Sequence, residues 1–241
     1  SEQMSLNGET AQLHAWIKRL PDAVLLAHAR LALTTALYLL LQTFHASDAQ
    51  WNQAVSKTDQ TIARIEPLLE SQEEAFLPEA EARLLQNRLR LLRGWITSRD
   101  ANLQGNGEQI LLLGSLMQEF ASEENVVWKM LPTYNLVAGQ ANAVALLPML
   151  SELKQQAERE QHPYEAAWLM ERLGVAYWKA GQLRQAYQIM REALQRLQQM
   201  GKARSMFGYV HLHLAEFHWT WNHLGEARTH LDTALHFART W

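Results

Sequence analysis

An all-α fold of antiparallel helix pairs is what this sequence predicts, and three observations predict it. Apolar residues recur at helical spacing along almost the whole chain, and no convincing alternating stretch of the kind a strand leaves is present. A C-terminal segment is written twice. Leu173-Gly174-Val175-Ala176-Tyr177, then Gly181, Leu183, Ala186 and Ala193, returns 41 residues later as Leu214-Ala215-Glu216-Phe217-His218, then Asn222, Leu224, Ala227 and Ala234. Small residues stand where two helices must approach closely. A period in this range marks a solenoid, in which no single repeat can bury its own apolar face. Finally, the breaks between periodic segments carry helix-end punctuation.

Taken in order, the pattern predicts eleven helices, over 9–20, 22–45, 49–70, 75–99, 106–122, 124–138, 141–161, 163–180, 183–200, 203–221 and 225–239. Pro21 closes the first, because proline cannot continue a helix. Ser47-Asp48 caps the third, and Gly105-Asn106-Gly107 is the clearest loop. Gly139, Gly181, Gly201 and Gly225 fall at or beside helix ends, and Pro163 suits a first turn. Pro132 falls inside a predicted helix and should kink it or mark its true start. The acidic run Glu70, Glu73, Glu74, Glu79, Glu81 reads as solvated surface. No low-complexity linker divides the chain, so one continuous domain over 1–241 is expected.

Composition bounds the function classes. The 241 residues include no cysteine, which excludes disulfides and thiolate metal sites. The longest apolar stretch, Leu31 to Leu41, is interrupted by Thr34 and Thr35 and is too short to span a bilayer. With no signal peptide in view, a cytoplasmic protein without membrane contact is expected. The net charge of −3 is poor for nucleic-acid binding. Residues 182–241 carry seven Lys/Arg against four Asp/Glu and the rest fifteen against twenty-one. The basic surplus at the C-terminal end reads as a solvated face, and direct nucleic-acid contact is not expected.

The repeat over 167–200 resembles a tetratricopeptide repeat. Leu173, Gly174, Tyr177, Gly181, Ala186 and Ala193 match that family's pattern, while Met170 and Met190 stand where Trp and Phe are usual and Gln198 where Pro is. The repeat is longer than the family's 34 residues. A weaker third copy sets Ala138-Gly139-Gln140 against Ala180-Gly181-Gln182. At the start of the chain, Leu13-His14-Ala15-Trp16-Ile17-Lys18-Arg19-Leu20-Pro21, then Ala29-Arg30-Leu31-Ala32-Leu33, resembles the opening of the helical-repeat domain of LuxR-type, MalT-like ATP-dependent transcription activators. His28 or Ala29 holds the place of that family's usual Pro. The resemblance implies a right-handed superhelix that senses an effector and regulates transcription. It places ATP in an N-terminal module and DNA binding in a C-terminal helix-turn-helix. No G-x-x-x-x-G-K-[ST] occurs here, so this chain itself is expected to bind no cofactor, and it reads as a sensor domain from a larger regulator or a truncated relative.

At about 100° per residue, Met170, Leu173, Gly174 and Tyr177 share one stripe and should pack between layers. Trp168, Glu171, Val175 and Trp178 fall on a neighbouring arc of about 80°, the arc that tetratricopeptide solenoids turn to their concave side. Their equivalents are Tyr209, Leu212, Glu216 and Trp219, and in the weaker copy Val126, Lys129, Thr133 and Leu136. Rings with interspersed carboxylates suit a sugar face, an aromatic metabolite or a peptide. Trp168, Glu171, Trp178, Tyr209, Glu216, Trp219 and Lys129 are therefore the candidate ligand-binding residues. Interlayer packing of the same aromatics is the competing reading and the favoured one, most of all for Trp95 and Trp128, which have no repeat partner.

Six of the ten histidines follow residue 210: His211, His213, His218, His223, His230 and His236. None forms the i, i+3 or i, i+4 pair a helical metal site wants, so no metal site is expected. His211 and His218, at the positions of Met170 and Tyr177, read as interlayer residues. Glu171 and Glu216 could lie on adjacent layers, but nothing marks one as acid and the other as base. No nucleophile elbow or zinc-protease motif is present either, so no catalytic residues and no enzymatic activity are expected. Two functions remain. One is the effector-sensing domain of a MalT-like regulator, which binds a small inducer and shifts an equilibrium between resting and self-associating forms. The other is a stand-alone tetratricopeptide-type scaffold that docks a protein segment.

Overall fold

The computed structural model describes residues 19, 21, 24, 28–43, 48–70, 78–104, 126, 128–130, 133, 137, 143–200 and 204–239. Among them it is all-helical, without a strand. The elements are α1 (Ala29–Thr43), α2 (Asp48–Glu70), α3 (Glu79–Gln104), a 3-10 turn (Ala143–Leu146), α4 (Leu147–Arg159), α5 (Pro163–Lys179), α6 (Leu183–Met200), α7 (Arg204–Thr220) and α8 (Leu224–Arg239). Residues 126, 128–130, 133 and 137 are also helical. No described helix is long and apolar enough to cross a membrane.

The periodicity finds these helices but misplaces several ends. Within the span predicted as one helix over 22–45, Val24 is helical but His28 is not, so α1 begins at Ala29, with the His28 carbonyl accepting the Ala32 N–H at 3.0 Å. α3 begins at Glu79 rather than 75, where the Pro78 carbonyl accepts the first helical N–H groups, those of Glu81 and Ala82. It then runs to Gln104, five residues past its predicted end, since nothing in that stretch breaks a helix. The segment predicted as one helix over 141–161 is a 3-10 turn followed by α4, with Pro148 in the first turn of α4. The predicted helix 9–20, apart from Arg19, lies outside the described residues. So do the helix 106–122, the Gly105-Asn106-Gly107 loop, Pro132, Gly139 and Gly201.

The chain divides into two compact units, one holding α1–α3 and the other the 3-10 turn and α4–α8. In the first, α1 packs on α2 and both pack on α3. Trp51, Ala54, Thr58, Ile62 and Ile65, spaced three or four residues apart, form the buried stripe of α2. Trp51 meets Trp95 of α3 edge to face, with ring centroids 5.9 Å apart and planes at 82°. Trp95 is thus a packing residue, as its lack of a repeat partner suggested. The edge-to-face geometry adds about 0.5–1.5 kcal/mol to the burial of two large rings. Arg93 forks onto both carboxylate oxygens of Glu66 at 2.7 and 2.9 Å. Glu81, read as solvated, instead pairs with Arg30 at 2.7 Å and is three-quarters covered.

In the second unit α5 is the central element. It packs against α4 and α6, and its residues from Glu165 to Ala176 are buried except for Trp168, on all sides rather than on one stripe. A helix covered all round has to be apolar or to partner its charges internally. α6 shows the simpler pattern: Ala186, Met190, Ala193 and Leu197 form one buried stripe. Met190 lies directly over Gly174 of α5, where a Cβ would stand 2.6 Å from the Met190 Cε and 2.9 Å from its Cγ. Gly174 is therefore the close-approach residue its repeat position predicts, and the flexible thioether fills the space an aromatic ring usually takes.

Three turns reverse the chain in the same way. Gln161, Gly181 and Asn222 adopt positive φ of 60°, 76° and 60°. At each, the N–H of that residue bonds the carbonyl three back, and the next N–H bonds the carbonyl five back: His162 to Ala157, Gln182 to Tyr177 and His223 to His218. This double closure satisfies the orphan carbonyls of a helix end, and the next helix starts two residues after the left-handed position. Glycine adopts that conformation freely, whereas an L side chain costs about 1–2 kcal/mol there. Nothing lies within 4 Å of a Cβ placed on Gly181. Gly181→Ala is accordingly expected to cost about 1–2 kcal/mol from backbone strain alone. Gln161→Gly should be neutral or stabilising, by up to about 1 kcal/mol once the added chain entropy is subtracted. Urea unfolding followed by circular dichroism measures both, and equal effects in the two variants would refute the backbone argument.

Candidate functional site

Glu171, on the central helix α5, is only 1% exposed. Its neighbour Arg172 donates from Nε and Nη2 to both carboxylate oxygens. His213 of α7 donates from Nε2 to Glu171 Oε1 at 3.0 Å and from Nδ1 to Glu216 Oε2 at 2.9 Å. Two carboxylates, a guanidinium and an imidazolium thus form one network joining α5 to α7, and its charges sum to zero. Burial alone would raise the Glu171 pKa, but the Arg172 charge and the His213 bond outweigh it and hold the carboxyl at about 2. Burial alone would lower that of His213, yet the two carboxylates raise it to about 9, so the ring is an imidazolium at neutral pH.

Aromatic rings flank the network. The Arg172 guanidinium lies over the Trp168 ring, 5.6 Å from its centroid. Trp178 meets His213 at 6.3 Å and Phe217 at 5.9 Å. Both indoles are half-buried. Trp219 is 71% exposed and has no ring partner among the described residues. Leu212, seven residues before it and so on the same face of α7, is exposed too. Glu216 is part-exposed and uses Oε2 for His213.

Of the residues singled out from sequence, Trp168, Glu171, Trp178 and Glu216 thus meet in or around one network. Glu171 forms its buried floor rather than an open wall, and Val175 is buried as well. Tyr209 is half-buried on α7. Lys129 donates to Gln156 of α4 at 3.2 Å, while Val126 and Thr133 of the same weak repeat copy are buried. Two participants were missed, Arg172 and His213. The i, i+3 pairing of His213 with Glu216 was visible in the sequence and was the signal for the second.

His211, His218, His223 and His230 form a second cluster between α7 and α8. His211 Nδ1 and His230 Nδ1 lie 2.8 Å apart, so one ring donates and the other accepts. His218 stacks on His230 with centroids 5.3 Å apart and planes at 13°, and its Nε2 lies 3.4 Å from the Tyr187 hydroxyl of α6. Among the described residues no three His, Asp or Glu side chains converge so as to hold a metal. Burial and the His230 ring push the His211 pKa down to about 4, and burial and His218 lower that of His230.

These shifts have opposite signs. A base with a raised folded pKa stabilises fully below its unfolded value and loses that stability as pH rises. The His213 contribution, on the order of 3 kcal/mol, is therefore lost between about pH 6.5 and 9. Buried Glu165, raised to about 8 by desolvation, adds a loss of its own between about pH 4.5 and 8. His211 is held neutral by the fold, so its contribution is present above about pH 6.5 and is lost as pH falls toward 4. Melting midpoints across pH 4–9.5 are expected to fall toward both ends. His213→Gln should lower the midpoint at pH 6.5 and flatten the alkaline limb, and His230→Gln should flatten the acid limb. An alkaline limb unchanged by His213→Gln and by Glu165→Gln would show that these assignments are wrong.

No family model, curated protein or solved structure matches this chain.

Proposed function

We propose that this chain is a non-catalytic, effector-sensing helical-repeat domain of a MalT-like, LuxR-type transcription regulator in the cytoplasm, and that its effector binds over the α5–α7 network. The observation that carries this reading is the neutral Glu171–Arg172–His213–Glu216 network with Trp168 and Trp178 beside it and Trp219 open to solvent. A flat ligand face stacks on an exposed indole, and the carboxylate of Glu216 accepts a hydroxyl or N–H that fixes its orientation. That chemistry fits a sugar or an aromatic metabolite. The fixed ion pairs beneath supply a floor that need not rearrange on binding.

The helix pairs α5/α6 and α7/α8 support a tetratricopeptide-like solenoid with a repeat of about 41 residues. Their first helices begin at Pro163 and Arg204, their second at Leu183 and Leu224, and both pairs turn through the same left-handed closure. In a right-handed superhelix of such pairs, the Trp168–Trp178 and Tyr209–Trp219 stripes face the concave side. Leu212 and Trp219, exposed along one face of α7, also suit the alternative, a scaffold that docks an apolar protein segment.

A thermal-shift screen against saccharides, aromatic metabolites and apolar peptides, with tryptophan emission recorded alongside, tests the reading. A ligand at 100 times its Kd adds about 2.7 kcal/mol, a shift of several degrees. Trp219→Ala and Glu216→Gln are expected to abolish the shift and the emission change, and Trp219→Ala should leave the unliganded midpoint within about 1 °C, since little contact is lost. A ligand whose shift survives in both variants binds elsewhere and refutes the site. A shift produced only by peptides selects the scaffold.

A further inference from the structure

The outward face of α8 carries a second pattern, independent of the ligand reading. On its inner side Ala227 and Ala234 are buried. On its outer side Leu224, Leu231 and Leu235 are 59%, 42% and 44% exposed. At about 100° per residue the three leucines fall within an arc of about 40°. Arg228 and Asp232 lie along one edge of that arc. Their side chains are 85% and 69% exposed and meet only at 3.9 Å. An exposed pair that long is worth little, so both charges remain available to a partner.

This face is complementary to itself in one orientation. A two-fold axis beside residue 230, perpendicular to the helix, places a second α8 antiparallel to the first. Arg228 of each copy then stands opposite Asp232 of the other, twice. Leu224 falls within one residue of the second copy's Leu235, and the two Leu231 residues meet near the axis. A parallel pairing in register would instead leave the Arg228–Asp232 edges of the two copies on opposite sides of the seam, where they cannot pair. We propose that the Leu224–Leu231–Leu235 face of α8 is a self-association surface, on which a second copy of this chain packs antiparallel with reciprocal Arg228–Asp232 pairs. One helix face about 24 Å long is smaller than a standard interface. The association is accordingly weak, with a Kd on the order of 100 µM.

Sedimentation velocity of the chain from about 5 µM to 1 mM, a range that brackets that Kd, tests the proposal together with a charge swap. The wild type should pass from monomer to dimer across that range. Arg228→Asp and Asp232→Arg each leave like charges facing twice and should abolish the dimer, while the double variant Arg228→Asp/Asp232→Arg restores it. Leu231→Lys should abolish it in either background. All these positions are exposed, and circular dichroism at low concentration confirms that each variant is folded. A wild type that stays monomeric at 1 mM overturns the proposal and assigns the face to another occupant. Dimers indifferent to the single swaps, or lost in the singles and not regained in the double, overturn it too, because the reciprocal pairing is its content.

Discussion

The need to keep a charged carboxylate inside the second unit governs how that unit is assembled. Glu171 sits on the helix that its neighbours cover on every side, where an uncompensated charge would cost several kcal/mol. Arg172 supplies the first compensation from the same helix. A guanidinium and a carboxylate on adjacent residues cannot fix the position of another element, however. His213 does that, because an imidazolium bonded through both nitrogens has only one placement of its ring. The depth and rotation of α7 against α5 are thereby pinned at a polar contact, inside a surface otherwise built from sliding apolar side chains. Replacing the set with apolar residues of equal volume need not destabilise the unit, since buried ion pairs recover little more than their desolvation cost. What they supply is a defined register between two helices.

The same helix shows that environment decides what a buried carboxyl becomes. Glu165, six residues before Glu171, is equally covered, but its Oε2 has no hydrogen-bond partner among the described residues. With desolvation the largest influence on it, it is held near pKa 8 and stays mostly protonated at neutral pH, whereas Glu171 stays ionised at about 2. Partner charges separate the two outcomes: Arg172 beside Glu171 on the same helix, and His213 from the neighbouring one. The histidines divide in the same way: His213 meets carboxylates and keeps its proton, while His211, covered and beside another imidazole, loses it.

Fold class was legible in the sequence wherever it depended on periodicity and on turn chemistry. The alternation of small and large apolar residues placed Gly174, Ala186 and Ala193 in the core, and Gly181 and Asn222 stood at matching places in the repeat because a left-handed residue is needed at both. Helix ends were less legible where a carbonyl outside the helix decides them, as at His28 and Pro78. Gln161 carried no signal, because glutamine is not a residue that marks a left-handed turn. The site was half legible. Helical arithmetic collected Trp168, Glu171, Trp178 and Glu216, but it treats every residue on an arc as equally open. It had no means of seeing that Glu171 is buried, since burial depends on the neighbouring helix. Arg172 and His213 fall outside the aromatic arc and so were not collected by it, although the i, i+3 spacing of His213 and Glu216 marked the second.

That division between a closed floor and an open rim bears on what the α5–α7 face can discriminate. Below the surface, Glu171, Arg172 and His213 satisfy one another and offer a ligand nothing that is not already bonded. At the surface, Glu216 is held by one oxygen and Trp219 is 71% exposed, so under the proposed function these two are the groups left to meet a ligand. A binder built this way would gain orientation from a fixed carboxylate and contact area from an exposed indole. Loss of the floor would release Glu216 along with His213, so a substitution at the buried pair should act on recognition as well as on stability. The open rim can change its contacts without disturbing the helices beneath it, which is what the proposed sensing role requires of that face.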